Sequence, residues 1–272
     1  KRGNYKRADL LKMHAYRDAI KRVFAPKAPP CRDITPRDVG LAYPESNYLT
    51  RKAILGGLPG RERQVVGGLV AWWGFEDDDA MISRDQSSCS FHGVKSGFRS
   101  ASGKLGKGFL CDGGSVAIGP HRLLSPEDGI SVEMWVNPGQ AKESNRWLLN
   151  TVGDSRTGYR LGLGDGKVCW QIPKTAWSHE LAAPEELPVG QWSHVVGTFD
   201  NETMRLYVNG VQVGSLVRQG PLNPSEAGVS LGTYTPGHGG AFFIGTMDEV
   251  KIWDRGLTAE EVKQHFTAAS AP

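Results

Sequence analysis

The spacing of the acidic residues indicates whether the chain could hydrolyse glycosidic bonds. Glycoside hydrolases need two carboxyl groups that face each other across one sugar, about 5–10 Å apart. Glu133 stands alone among apolar neighbours, and Asp248 and Glu249 are adjacent, so that in a strand they point to opposite faces. The sequence also contains no Gly-x-Ser-x-Gly, His-Glu-x-x-His or phosphate-binding loop. We therefore predict that the protein is not an enzyme.

Asp248 is an acidic residue on an otherwise apolar strand face, which it shares with Val250 and Ile252. A carboxylate in such a position needs a partner, which can be a metal ion, a basic side chain or backbone N–H groups. Calcium is the metal to consider, because it is bound by oxygen atoms of carboxylates, carbonyl groups and water. The histidines are scattered and do not pair at metal-ligand spacing.

The cysteines leave the redox state open. They lack C-x-x-C spacing, so a zinc site is not predicted. Cys111 and Cys169 lie in strand-like runs and are expected to be small core residues. Spacing does not decide whether disulfides form among the four cysteines, which are Cys31, Cys89, Cys111 and Cys169.

The elements that must position these residues are strands, and residues 190–216 show the pattern most clearly. Met204, Leu206 and Val208 alternate with polar or aromatic residues, which indicates a strand with one buried face. Asn209-Gly210 follows at once and is typical of a two-residue hairpin turn. The run before this strand and the run after the turn predict two more strands, so the segment is expected to form a three-stranded antiparallel meander.

The rest of the chain from residue 68 repeats short strand-like runs separated by turns, which favours a β-sandwich or jelly roll. Residues 77–106 lack this pattern and are predicted to be a loop region. Near the end, Thr258 and Glu261 match a helix capping box, so a short C-terminal helix is expected. No apolar run is long enough to predict a transmembrane segment.

The first 67 residues differ in composition from the remainder. Residues 1–66 carry 15 Lys and Arg against 6 Asp and Glu, a net charge of +9, whereas residues 67–272 have a net charge of −6. Residues 8–24 place apolar residues at helical spacing and predict one helix. Proline-rich sequence without periodicity follows it. We therefore divide the chain into a basic N-terminal extension, residues 1–67, and a globular domain, residues 68–272.

Several runs of the globular domain occur in a familiar order: LVAWWGFEDD, GKLGKGFLCDGG, ISVEMWVNP, GQWSHVVGTFDNETMRLYVNGVQVG and TMDEVKIWDRGLTAEEV. With these runs, residues 68–266 resemble the laminin-G-like, concanavalin A-like jelly-roll family. The resemblance implies an all-β, antiparallel β-sandwich with a short C-terminal helix. It does not imply one activity, because the family includes carbohydrate-binding, adhesion, catalytic and scaffold domains.

The resemblance also suggests where ligands would bind. Structural calcium in the family often lies near the sheet end where the first and last strands pair, and the matching residues here are Glu76 and Asp248, with Asp112 as an additional candidate. Hydrogen bonds from turn amides are the alternative partners of these carboxylates. A sugar would be bound by aromatic side chains on the sheet or its rim loops, unless these side chains fill the core. The candidates are Tyr159, Trp170, Trp177 and Tyr234.

We predict a non-catalytic interaction or structural module. In this interpretation the protein is a subunit of a larger assembly, and its basic N-terminal arm anchors it to the other proteins there. The alternative is an extracellular lectin-like domain that binds carbohydrate or protein, with calcium as a candidate cofactor. An organellar, mitochondrial assembly is favoured slightly over a secreted or cell-surface location. Basic residues of the arm offer contacts to RNA phosphates or to an acidic protein surface: Lys1, Arg2, Lys6, Arg7, Arg17, Lys21 and Arg22.

The sequence also contains Asn201-Glu202-Thr203, the pattern of an acceptor for N-linked glycans in a secreted eukaryotic protein.

Overall fold

The computed structural model describes residues 68–77, 81–141, 146–153, 156–175, 180–234 and 242–270. The basic arm and the helix predicted for residues 8–24 lie outside the described residues. In the described part of the chain, no helix has the length and apolar character needed to cross a membrane.

The described residues form sixteen strands, a short 3-10 helix and one α-helix. The strands are β1 Leu69–Trp73, β2 Ile82–Ser83, β3 Gly93–Ser96, β4 Arg99–Ser102, β5 Lys107–Cys111, β6 Ser115–Ile118, β7 Ile130–Pro138, β8 Arg146–Asn150, β9 Arg160–Gly164, β10 Lys167–Gln171, β11 Glu180–Glu186, β12 Ser193–Phe199, β13 Thr203–Val208, β14 Val211–Val217, β15 Val229–Leu231 and β16 Gly245–Trp253. The helices are the 3-10 helix Arg122–Leu124 and α1 Ala259–Ser270.

The strands form two eight-stranded antiparallel sheets, as the sequence predicted. Sheet A has the order β14-β13-β12-β7-β16-β5-β4, and β1 pairs with β16 beside this path. Sheet B has the order β11-β10-β9-β8-β15-β6-β3-β2. The first and last strands of the domain are therefore neighbours in sheet A. The meander predicted for residues 190–216 is confirmed as β12-β13-β14.

Side chains from the inner faces of both sheets form one hydrophobic core, as alternation along the strands requires. Trp170 of sheet B spans the space between the sheets. A Cβ atom at Gly197 of sheet A would lie 2.4 Å from its ring. The absence of a side chain at Gly197 therefore makes room for the largest core residue.

The prediction of a loop region over residues 77–106 was wrong, because this segment contains β2, β3 and β4. Each of these strands has two to four residues, too few for an alternating pattern to emerge from the sequence. Asp85 organises the turn between β2 and β3. Its buried carboxylate accepts hydrogen bonds from the backbone N–H groups of Trp72, Ser87 and Phe91.

Helix α1 packs on the outer face of sheet A. Val262 is the fully buried residue of the helix and joins a second apolar cluster with Val196, Tyr207, Trp253 and Leu257. The capping box predicted at Thr258 and Glu261 is confirmed. The Glu261 N–H donates to Thr258 Oγ1 over 3.2 Å, and the Thr258 N–H donates to Glu261 Oε2 over 2.8 Å.

Candidate functional site

A row of polar side chains crosses the outer face of sheet B, on the side opposite the core. Because directly opposed residues of antiparallel strands point to the same face, the register aligns these side chains across neighbouring strands. The neighbouring core-facing residues Leu149, Leu161 and Trp170 confirm that the row points outward. The row runs Glu180, Gln171, Arg160, Asn150 and Ser230, from β11 to β15.

The centre of this row is a guanidinium group stacked on an indole. The Arg160 Cζ atom lies 3.8 Å from the centroid of the Trp147 ring. Gly162, the cross-strand partner of Trp147, leaves room for this ring, because a Cβ atom there would lie 2.5 Å from Trp147 Cε3. Both Arg160 and Trp147 are 6% exposed, so the stack is largely removed from water. Burial lowers the pKa of Arg160, and the charges of Tyr234 and Glu180 oppose that shift.

The rim of the row is formed by residues that are more exposed. Tyr234 is half-buried, and its carbonyl oxygen accepts a hydrogen bond of 2.6 Å from Asn150 Nδ2. Phe242 is also half-buried and forms a backbone bridge with Trp147. Tyr234 and Phe242 thus both lie beside the polar row.

A small cleft with about 10 Å³ of space, enough for a single water molecule, opens beyond Trp147, at the end where the β9–β10 turn lies. Three apolar residues, one from β9 and two from the segment before β16, form part of its wall, and two polar side chains border it. The lining residues are Gln140, Arg146, Leu163, Gly166, Phe243 and Ile244. Leu163 and Phe243 belong to the hydrophobic core, so the cleft is separate from the polar row on the outer face of sheet B.

This arrangement has the chemistry of a binding site for a hydroxyl-rich ligand. The carboxylate, amide, guanidinium and hydroxyl groups of the row provide both donors and acceptors of hydrogen bonds. The indole ring of Trp147 lies against the guanidinium and holds Arg160 in place within the row. A few convergent polar groups next to an aromatic surface are typical of small-molecule sites.

The four aromatic residues predicted as sugar platforms have different positions. Trp170 and Tyr159 are fully buried in the core, so their assignment as ligand platforms was wrong. The Tyr159 hydroxyl donates to the Leu124 carbonyl over 2.6 Å, which satisfies its polar end inside the protein. Tyr234 lies at the rim of the polar row. Trp177 lies outside the described residues.

The sequence interpretation did not single out Trp147 and Arg160. Strict alternation places Trp147 on the same face as Leu149, but an irregularity in the β8–β9 register between these residues turns Trp147 to the outer face. Arg160 could have been found, because it alternates with the apolar Tyr159 and Leu161 and must point away from the core.

The three carboxylates predicted to bind calcium do not form one cluster. Asp248 Oδ2 accepts a hydrogen bond of 2.9 Å from the Leu105 N–H, and Glu76 Oε1 accepts one of 3.0 Å from the Lys107 N–H. Both acids thus bind the same turn, whereas Asp112 pairs with Arg99 on the surface. Burial raises the pKa of Asp248 to about 7.

Backbone N–H groups are thus the partners that the structure gives to Asp248 and Glu76. Among the described residues, no group of three or more His, Cys, Asp or Glu side chains is arranged to hold a metal ion. The geometry does not fit the predicted calcium site, and calcium binding stays a prediction.

A second polar cluster lies on the outer face of sheet A, beneath α1. Glu133 is almost fully buried and accepts hydrogen bonds from His194 Nε2 at 3.0 Å, His265 Nδ1 at 3.0 Å and Trp253 Nε1 at 3.2 Å. Burial alone would raise the pKa of Glu133, but the hydrogen bonds from the two histidines and the charge of Lys251 hold it well below its usual value. The donors come from β12, β16 and α1, so the cluster ties the helix to the sheet.

The comparisons with known proteins agree with this architecture. Mouse pentraxin-related protein PTX3 is 32% identical over 158 residues, which cover 54% of this chain and 41% of that protein, so the chain spans about two fifths of its length. The binding domain of Paraclostridial mosquitocidal protein 1 has a TM-score of 0.60 at 19% identity, over 75% of this chain and 53% of that chain.

Domain 4 of AbnA, an extracellular GH43 arabinanase from Geobacillus stearothermophilus solved in complex with arabinotriose, has a TM-score of 0.57 at 22% identity. The match covers 72% of this chain and 97% of that domain. The two structural similarities show a common fold. The sequence matches the laminin-G family model of the concanavalin A-like lectin/glucanases superfamily over residues 112–263, more than half of the chain, and the protein belongs to this family.

Proposed function

We propose that the protein is a non-catalytic binding domain of the lectin type, which recognises a carbohydrate at the outer face of sheet B. The observation that carries the proposal is the Arg160–Trp147 stack at the centre of a cross-strand polar row. Sugars present hydroxyl groups around the ring, and the hydrogen-bond donors and acceptors of the row complement these groups. The bound arabinotriose of the AbnA domain supports a saccharide as the first class of ligand to test.

The polar row is not needed to complete the hydrophobic core, which lies on the other side of sheet B. Burying polar groups has a cost in free energy unless they are hydrogen-bonded. A purely structural outer face could use smaller or apolar side chains instead. The retention of a carboxylate, two amides and a guanidinium in one line therefore favours a recognition role.

Binding of the full chain to an array of neutral and acidic oligosaccharides, including arabino-oligosaccharides, tests the proposal. We expect a defined set of glycans to bind. Arg160→Met removes the fork of donors while keeping an unbranched side chain over Trp147. Loss of a hydrogen-bonding charged group should weaken binding by roughly tenfold to a hundredfold.

Lys251→Met is a matched control, because Lys251 also carries a cation over an indole, 5.3 Å from the Trp72 ring on sheet A. This variant should bind glycans as the unmodified chain does. The assay is repeated with added calcium and with a chelator, which also tests the predicted calcium dependence. Absence of glycan binding, or equal effects of both substitutions in folded proteins, would refute the proposal.

The prediction that the protein is an anchored subunit depends on the basic arm, which is outside the described residues. The contrast between a net charge of +9 in residues 1–66 and −6 in the remainder favours an arm that contacts an acidic partner, protein or RNA. We propose anchoring through this arm as a second role, compatible with glycan recognition by the sandwich. The mitochondrial or extracellular location of the protein stays a prediction.

A further inference from the structure

The turn between β12 and β13 contains the Asn201-Glu202-Thr203 sequon and has no part in the proposed glycan site. We infer that Asn201 is the acceptor of a single N-linked glycan when the chain passes through the eukaryotic endoplasmic reticulum. The sequence contains no second Asn-x-Ser/Thr pattern in which x differs from proline. Asn223-Pro224-Ser225 has the same outline, but proline at its centre excludes it as an acceptor.

The turn presents the acceptor atom to solvent. Asn201 is partly exposed and Glu202 is exposed. The side-chain oxygen Oδ1 of Asn201 is buried, whereas its amide nitrogen Nδ2 is not among the buried polar atoms of the described residues that lack a partner. No hydrogen bond between Nδ2 and another described residue occupies it, so Nδ2 is not fully buried and is free of contacts within the described turn. In contrast, Asn223 Nδ2 donates to the Arg156 carbonyl over 2.8 Å.

The backbone of the turn is held by its other residues. Asp200 Oδ1 accepts hydrogen bonds from the N–H groups of Glu202 and Thr203, at 3.1 and 2.8 Å. The Asn201 carbonyl accepts the Gly220 N–H over 2.8 Å. Asn201 itself has φ of +70°, a conformation that asparagine and aspartate tolerate better than other residues with side chains. Because the Nδ2 atom has no part in this scaffold, a glycan on Nδ2 leaves the turn intact.

The chemistry requires a co-reactant, an oligosaccharide linked through a pyrophosphate to a polyprenol, and a transferase. Asn201 Nδ2 attacks the first carbon of the sugar, the new N–C bond forms and the C–O bond to the pyrophosphate breaks. Nδ2 loses one proton, and the polyprenyl pyrophosphate leaves with the electron pair. The hydroxyl of Thr203 completes the pattern that the transferase recognises.

The test directs the full chain into the secretory pathway of cultured eukaryotic cells with a cleavable signal sequence. We expect one step of reduced mobility on a denaturing gel, removed by an amidase that cleaves the Asn–sugar bond. Asn201→Asp tolerates the positive φ and removes Nδ2, and Thr203→Val preserves a β-branched residue at the start of β13. Both variants should lose the step, and Thr203→Ser should keep it.

Two outcomes overturn the inference. The first is a secreted, unmodified chain that migrates identically before and after amidase treatment. The second is a mobility step that persists in Asn201→Asp, because the glycan would then be attached elsewhere. The result is independent of glycan recognition by sheet B, which is measured on protein produced without glycosylation.

Discussion

Glu133 shows how one ionisable group can join three elements. Its carboxylate is buried beneath α1 and is satisfied by two imidazoles and an indole. His194 Nδ1 is buried and has no hydrogen-bond partner among the described residues, so the Nε2–H···Oε1 bond is the polar interaction of this ring within that part of the chain. Removing one partner of a buried charged network leaves the others desolvated and unpaired. We therefore expect the docking of α1 to depend on the ionised state of Glu133.

Replacement of Glu133 by glutamine should destabilise the domain by about 3 kcal/mol at neutral pH, because the buried charge partner of the histidines is lost. The pKa of Glu133 is depressed in the folded state, so its contribution to stability is complete above the ordinary value of 4.5 and declines as pH falls below it. Urea unfolding at pH 7 and at pH 3.5 measures the effect. The difference in unfolding free energy between the unmodified protein and Glu133→Gln should be smaller at pH 3.5 than at pH 7.

Glu260→Gln is the control, because Glu260 is on the exposed face of α1 and contacts Gln264. It should leave stability unchanged at both pH values. An equal loss of stability for Glu133→Gln at pH 7 and pH 3.5 would show that packing rather than charge explains the effect.

At the scale of elements, α1 is held at its start as well as along its face. Glu261 reaches back to Thr258 and also accepts two hydrogen bonds from Arg255, at 2.6 and 2.9 Å. The hydrogen bonds from Arg255, and then from the Thr258 N–H, lower the pKa of Glu261 to about 2. One fully buried residue, Val262, anchors the helix in the apolar cluster. The N-terminal cap therefore supplies a substantial part of the stability of this short helix.

Thr258→Ala should weaken α1 by about 1 kcal/mol, the usual effect of losing an N-cap side chain. Thr258→Ser keeps the hydroxyl and should preserve most of the stability. Hydrogen exchange of the backbone amides of residues 259–270 reports the change locally. Faster exchange in the alanine variant, with little change in sheet A, is the expected result. Unchanged exchange would show that the cap does not limit opening of the helix.

At the scale of the whole molecule, charge separates the chain into two parts. The sandwich has a hydrophobic core built from side chains of both sheets. The arm carries the positive excess. Folding of the sandwich and anchoring through the arm should therefore be separable properties.

Deletion of residues 1–66 should leave a domain that unfolds in one transition near the midpoint of the full chain and binds the same glycans. The same deletion should abolish co-purification with a larger assembly, since the positive charge that would contact an acidic partner is removed. Calorimetry and size-exclusion chromatography of cell extracts provide the measurements. Retention of the truncated chain in the assembly would refute the anchoring role.

Much of the fold could be predicted, because the alternation of apolar and polar residues along a strand is visible in neighbouring residues of the sequence. The strands of the meander and the cap at Thr258 follow from neighbouring residues alone. The site was harder to predict, because it depends on register between distant strands. A single irregularity after Trp147 reverses its face, and the polar row becomes visible once β8, β9 and β10 are aligned. Trp170 was assigned to the wrong environment because composition does not distinguish a core indole from an exposed one.

The pairing of β1 with β16 has a consequence for synthesis of the protein. On the ribosome, β1 emerges long before β16, the strand with which it pairs. Strand β16 also lies between β7 and β5 in sheet A. Sheet A therefore cannot close until nearly the whole domain has left the exit tunnel, and the nascent chain must remain soluble with this gap in the sheet. A premature stop codon before residue 245 would leave β7 and β5 with unpaired edges, and such products should be targets for chaperones and proteases.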